Sequence, residues 1–170
     1  MLNNNIKICS NVCKALEKKE ISSLIYISSD AVYSDSLKKI KETNLTLPSS
    51  LHGLMHLSRE IILRDKFKKI LTILRPTLIF GKDDPHNGYG PNSFYRLAKK
   101  NKDIKIFGKG EELRDHISIK DITDIIIRII KLKKKGEFNL VTGKVQSFEN
   151  IAKKIIKLTN SKSKIINLKR

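Results

Sequence analysis

Two short apolar runs set the folding problem for this chain. Leu24-Ile25-Tyr26-Ile27 and Ile70-Leu71-Thr72-Ile73-Leu74 are too brief for helices and rich in β-branched residues, so both read as strands, the second covered on both faces. Between them lie a polar stretch, 34–50, and the segment Leu51 to Phe67, where Leu54, Leu57, Ile61 and Ile62 recur at three and four and make one buried helical stripe. Strand, helix and strand with long connections build a parallel pair bridged by a helix, in the right-handed sense such crossovers adopt. An α/β fold is therefore expected. At 170 residues the chain is long enough for one unit with a real core, or for two lobes sharing one.

The flanking segments fit that frame. Residues 5–19 place Ile6, Val12, Ala15 and Leu16 at helical spacing before the first strand. After Gly81 the stretch KDDPHNGYGPNSF is turn chemistry and predicts a surface loop, where function tends to sit. Beyond it the pattern predicts a helix over 93–100, a strand over 104–107, a turn at Gly108 and Gly110, a helix over 120–132, a strand over 137–141 and a helix over 147–158 with Ser147 as N-cap. There is no internal repeat.

Lys and Arg number 35 against 17 Asp and Glu, a formal charge of +18, which points first to a polyanionic partner. Of those cations 28 are Lys and only 7 Arg, whereas bidentate phosphate and base recognition favours the Arg fork. Lys, Ile and Asn together supply 66 residues, the skew of an A/T-rich coding sequence, so the charge weakens as evidence for a polyanion. A nucleic-acid binder is disfavoured further because no basic-aromatic interleaving is present. No run of aliphatic residues is longer than three, as in Ile125-Ile126-Ile127, far short of the ~20 residues of a membrane span, and the N-terminus has no secretory pattern. A cytoplasmic location is expected. Cys9 and Cys13 are one helical turn apart and read as buried thiols of a reducing compartment.

Six segments then resemble one family in its own order. Ile27-Ser28-Ser29-Asp30-Ala31-Val32-Tyr33 is similar to S-[ST]-x-x-V-Y-G at the end of a central strand, and Pro48 to Glu60 stands where the family has P-x-S-x-Y-G-x-x-K-x-x-x-E. Leu74-Arg75-Pro76 through Gly81 resembles L-R-P-x-N-x-Y-G. Ile106 to Gly110 with Arg114 to Asp121 resembles G-x-G followed by R-D-[FYH]-[IV]-x-V-x-D. Gly136 to Leu140 and Ser147 to Ala152 resemble G-x-[YF]-N-[IL] and S-x-x-E-[IL]-A. The family is the extended short-chain dehydrogenase/reductases, in particular the NAD-dependent nucleotide-sugar epimerases and dehydratases. It implies a partial Rossmann-like parallel sheet with a small C-terminal α+β substrate lobe. Residues 1–81 would be the C-terminal part of an NAD(P)-binding domain, and 82–170 mainly the substrate lobe, with some elements returning to the core. The family's opening G-x-x-G-x-x-G turn, whose amides hold the dinucleotide pyrophosphate, is not in these residues. The resemblance therefore implies the C-terminal portion of a longer enzyme, dependent on NAD or NADP bound with the help of an N-terminal segment or a complementing polypeptide, and compatible with a homodimer.

Residue by residue, the resemblance implies a catalytic Ser29, with His52 in place of the family Tyr and His56 in place of its Lys. An imidazole near pKa 6.5 accepts a proton at neutral pH without the help a phenol requires, so His52 is a sensible general base. His56, also near the nicotinamide ribose, carries no permanent charge, so the electrostatic role of Lys is in question. Pro76 falls at a cofactor-facing position. Arg114 matches the Arg on the nucleotide-sugar diphosphate, with a salt bridge to Asp121 as the structural alternative; Asn92, Phe107 and Asp30 fall near substrate positions. Asp115 reads as fixing a turn. Ala31 replaces the carboxylate partner of Asp30, and Leu78 the Asn near the substrate.

Two other readings stay open. His52 and His56, four apart, are also spaced as metal ligands, with His86, His116 or Asp84 needed to complete a site. A non-catalytic remnant or accessory subunit of the same fold is suggested by the missing Gly-rich turn and the altered Tyr and Lys positions.

Overall fold

A computed structural model describes residues 2–36, 39–85 and 88–169. In chain order it contains α1 (Leu2–Leu16), β1 (Leu24–Ile27), a single 3-10 turn (Asp30–Val32), α2 (Leu51–Phe67), β2 (Leu71–Pro76), β3 (Leu78–Phe80), α3 (Pro91–Lys99), β4 (Ile104–Phe107), β5 (Leu113–Ser118), α4 (Ile119–Lys131), β6 (Gly136–Leu140), β7 (Val145–Ser147), α5 (Phe148–Leu158) and β8 (Ile165–Leu168). They form two compact units, Met1–Thr77 with Ile122–Leu140, and Leu78–Asp121 with Val141–Arg170. No described helix is long and apolar enough to cross a membrane.

In the first unit β1, β2 and β6 form a parallel sheet in that order, with Tyr26 beside Ile73 and Leu74 beside Phe138. The central strand β2 is buried at every residue, Thr72 and Arg75 included, as expected of a strand covered on both faces. Cys9 and Cys13 on α1, Leu63 and Phe67 on α2, and Leu71 and Ile73 on β2 share one apolar cluster. Both cysteines are free and buried, and burial, with Cys13 beside it, pushes the Cys9 thiol up to about 11, so it remains a protonated core group.

Three of the polar side chains buried in this unit, Ser28, Glu60 and Arg75, share one network. Arg75, 1% exposed, gives Nε to Glu60 Oε1 at 2.9 Å and Nη2 to Glu60 Oε2 at 2.6 Å, while Glu60 is fully buried. The same guanidinium donates to Tyr33 Oη at 2.6 Å and to Glu137 Oε2 at 2.7 Å. Ser28 Oγ donates to Glu60 Oε1 at 2.6 Å, Arg64 bonds both Glu60 and Glu137, and Tyr33 Oη donates a hydrogen bond to Asn139 Oδ1. Burial alone would lower the Arg75 pKa; the hydrogen bonds and charge of Glu60, then the charge of Glu137, outweigh it and hold the guanidinium charged.

Ser50 caps α2 by accepting the Gly53 N–H at 3.1 Å. At Gly53 the helix meets the 3-10 turn backbone to backbone. A methyl group there would lie 1.9 Å from the Ala31 carbonyl oxygen and 2.8 Å from Pro48 Cβ, so only glycine allows this approach.

In the second unit β3 pairs parallel with β5, β5 antiparallel with β7, and β4 parallel with β8. Helices α3 and α5 bury Phe94, Ala98, Phe148, Ile151 and Ala152 with Ile104 and Ile106 of β4. Ser147 caps α5 through the Asn150 N–H, as the sequence predicts. The structure adds β3, β5, β7 and β8, none of which the sequence reading contains. They are short: β3 is an apolar run of only three residues, and Leu113 to Ser118 mixes charges with apolar residues, so neither carries a strand pattern of ordinary length.

Glu60→Ala should lower the unfolding free energy by about 3–5 kcal/mol, because it leaves a buried guanidinium without its carboxylate. Arg64→Ala, at a side chain 35% exposed, should cost no more than ~1 kcal/mol. Gly53→Ala should cost at least ~1–3 kcal/mol by forcing α2 off the turn. Urea unfolding of the three variants measures all of these.

Candidate functional site

In the first unit the sequence-predicted residues gather where β1 ends and α2 begins. Ser29 follows the strand and starts the 3-10 turn: its Oγ accepts the Ala31 N–H at 3.1 Å and donates to Asp30 Oδ1 at 3.3 Å. The hydroxyl is half-buried and Asp30 is exposed, so both stand at the C-terminal edge of the parallel sheet, where open α/β sheets bind ligands. Pro76 ends β2 of the same sheet and is buried.

His52 and His56 are one turn apart on α2 and share a face, their ring centroids 4.7 Å apart in an edge-on contact. His52 is exposed and His56 half-buried. Burial, then the neighbouring His52 and Arg59, lowers the His56 pKa to about 4 against a smaller opposing pull from Glu60, so its ring is uncharged at neutral pH. The positive charge a Lys would bring to this position is absent.

Tyr26 is the residue at this site that sequence reasoning missed. Its hydroxyl lies 3.1 Å from His56 Nδ1. Tyr26 and Ser28, two apart, share a strand face, and His56 and Glu60, four apart, share a helix face; the strand pair meets the helix pair, Tyr26 on His56 and Ser28 on Glu60. The only available signal was that period-two and period-four match, which needs the two elements already packed to be read.

In the second unit Arg114 is paired with Glu112 at 2.6 Å, while Asp121 takes part in a reciprocal cap with Ser118. Asp115 fixes a turn as expected: it accepts the Thr142 hydroxyl and amide and the Gly143 N–H. Asn92 ties its own loop, donating to Asp84 and accepting the Gly81 N–H. Phe107 is 48% exposed, its ring 5.2 Å from that of Tyr89, whose hydroxyl accepts the Phe107 N–H.

This unit also holds a cavity of about 800 Å³. Asn92 and His116 line it with Phe80 and Tyr95; Lys82, Arg96, Lys144 and Lys154 stand around it, and no described carboxylate does. His116 Nε2 is buried without a hydrogen-bond partner among the described residues, and burial lowers the His116 pKa. The cavity is suited to an anionic ligand with an apolar part. Sequence reasoning named Asn92 here and none of the four cations, which in sequence are indistinguishable from other surface lysines and arginines.

The metal alternative finds no support in these positions. His86 lies outside the described residues, and among the described residues no group of three His, Cys, Asp or Glu is placed to hold a metal. For a dinucleotide the fit is partial. Ser29, His52 and His56 suit the reactive, ribose-bearing end. A pyrophosphate needs a strand-to-helix turn opened by glycine, and the one glycine between β1 and β2, Gly53, has its open side filled by the Ala31 carbonyl.

Comparison with known proteins agrees with this geometry. A family model described as the NAD dependent epimerase/dehydratase family matches residues 1–141. The dTDP-D-glucose 4,6-dehydratases of Homo sapiens and Bos taurus are each 26% identical over 161 residues, 90% of this chain and 46% and 45% of theirs. Among solved structures, the UDP-glucuronic acid 4-epimerase of Bacillus cereus in complex with UDP-glucuronic acid and NAD superposes with a TM-score of 0.87 at 23% identity, over 97% of this chain and 54% of that one. The UDP-N-acetylglucosamine 4-epimerase of Bacillus cereus gives 0.86 at 24%, over 97% and 59%. The chain thus spans about half the length of these relatives and shares their Rossmann-like fold. With the motifs in order, the parallel sheet in place and one family model matched over residues 1–141, this protein belongs to the NAD dependent epimerase/dehydratase family.

Proposed function

We propose that this protein works on a nucleotide-activated sugar, in the cytoplasm, as the substrate-facing and base-bearing portion of a sugar-nucleotide epimerase or dehydratase. The observation that carries the reading is the pair of imidazoles on one face of α2, one exposed and one held uncharged, at the positions the family motif gives to Tyr and Lys. NAD, when bound, supplies the hydride acceptor. His52 takes the proton of the sugar hydroxyl that is oxidised, and Ser29 shares that proton's hydrogen bond. His56 offers a neutral hydrogen bond beside the ribose in place of a charge. Arg114 supplies a guanidinium fork for the diphosphate, and the cation-rimmed cavity of the second unit supports an anionic substrate. Asp30 without a carboxylate at Ala31 favours epimerisation over an elimination that needs an acid pair.

The pyrophosphate cradle is assigned to residues other than these, on an upstream segment or a second polypeptide. A competing reading, a non-catalytic remnant, draws on the uncharged His56. Titration of NAD onto the chain, alone and complemented with a segment bearing the Gly-rich turn, separates them when followed by a nucleotide-sugar turnover assay. Micromolar binding and turnover on complementation are expected, with His52→Ala lowering kcat by ~10²–10⁴-fold. Arg114→Ala should raise KM for the nucleotide sugar more than it lowers kcat. A complemented protein that binds no NAD, or turnover indifferent to His52→Ala, would overturn the proposal.

A further inference from the structure

We propose that the C-terminal end of α4 and the turn after it are a docking surface for an anionic lipid bilayer, on which the protein rests without spanning it. From Ile125 to Gly136 the chain carries five cations, Arg128, Lys131, Lys133, Lys134 and Lys135, and no acid. All five are exposed. Cations at a helix C-terminus have an ordinary explanation, since they oppose its partial negative charge. That explanation does not reach the apolar side chains among them: Ile127, Ile130 and Leu132 are 43%, 57% and 64% exposed. Ile127 and Ile130, three apart, adjoin Lys131 on the side of α4 away from its buried Ile122 and Ile129.

This mixture selects the partner. A soluble polyanion would meet the charges and leave the three apolar groups in water, while an apolar protein groove would strip water from five cations without replacing it. The surface of an anionic bilayer takes both, with apolar tips at the acyl boundary and ammonium groups at the level of the phosphates, reached by lysine stems that themselves cover apolar surface.

The patch is also held in place before any partner arrives. The Leu132 N–H donates to the Arg128 carbonyl at 2.9 Å, Lys133 to Ile130 at 3.2 Å and Lys134 to Ile129 at 3.1 Å. Lys133 takes a left-handed φ of 48° to make this reversal, at a place where glycine commonly ends a helix. From the buried side, Thr72 Oγ1 of β2 donates to the Lys134 carbonyl at 2.9 Å. The lysines therefore ride on a fixed main chain, and docking orders side chains only. Lys135 precedes Gly136, the first residue of β6, which lies beside Thr72 at the start of β2. The patch thus sits at the N-terminal edge of the parallel sheet, and a bilayer there leaves the opposite edge, with Ser29, open to ligands. The proposal rests on no reaction assigned to that edge.

Co-sedimentation with lipid vesicles at ~0.15 M salt tests it. The chain should pellet with vesicles of equimolar phosphatidylglycerol and phosphatidylcholine and stay in solution with phosphatidylcholine alone. Replacing Lys131, Lys133, Lys134 and Lys135 together by Gln should weaken binding by at least ~10-fold. Ile130→Ser combined with Leu132→Ser, which leaves the charge unchanged, should weaken it by ~10-fold as well. Lys102, Lys105, Lys162 and Lys164, exposed in the second unit, provide the control: changing all four to Gln removes the same charge and should alter binding by less than ~3-fold. No binding to the mixed vesicles, an equal loss in the control, or binding indifferent to the two Ser substitutions would overturn the proposal.

Discussion

The contact on which the first unit depends is the two-pronged bond between Arg75 and Glu60. Both groups are out of water, and a pair in that position gains little net stability over apolar residues of the same volume, because each ion gives up its hydration to enter. What the pair does is fix geometry. Arg75 belongs to β2 and Glu60 to α2, and the same two groups engage Ser28 after β1, Tyr33 beyond the 3-10 turn and Glu137 on β6. Apolar side chains would let α2 slide by a fraction of a turn at small cost; a bidentate salt bridge with every lone pair committed does not. The position of His52 and His56 over the sheet edge follows from that lock, since they lie eight and four residues before Glu60 on the same helix.

Much of this was readable from the chain alone, for a physical reason. β1 and α2 occupy the segments their patterns predict, because an apolar run between turn residues and three-four spacing are local signals; the face α2 buries is nevertheless Met55, Glu60, Leu63 and Phe67, and Leu54 and Ile61 of the expected stripe are exposed. Ser29, His52 and His56 could be named because the motif fixes their order. What escaped was whatever depends on distant partners. The strand around Arg114 carries charge and has no alternation, so its identity comes from pairing with β3 and β7. Tyr26 looked like one more strand aromatic, and Glu60 like a helix surface carboxylate, until the two elements were packed together. Arg114 shows the reverse limit: a motif assigns it to a diphosphate, while its visible neighbour is Glu112.

The charge of the chain also takes on a different meaning. Several of its scarce carboxylates are engaged in building: Glu60 and Glu137 hold guanidinium groups, Asp115 holds the turn at Thr142 and Gly143, and Asp121 caps a helix with Ser118. None is left on the walls of the second unit's cavity. Its cations stand around a cavity whose lining carries no described carboxylate, and physiological salt limits their reach to about 8 Å. A large net charge written across a lysine-rich surface becomes specific only where acids are locally missing.

At Gly53 the helix and the 3-10 turn meet main chain to main chain. Side chains set most spacings in a protein, and they change when residues change. This contact does not pass through a side chain of the helix, so it adds to the Arg75–Glu60 lock a spacing that the residues at 52 and 56 do not themselves set. An imidazole, a phenol or an amine placed there arrives at the same point above the sheet edge. The frame and the reagents it carries are separable, and the one methyl group missing at position 53 is what separates them.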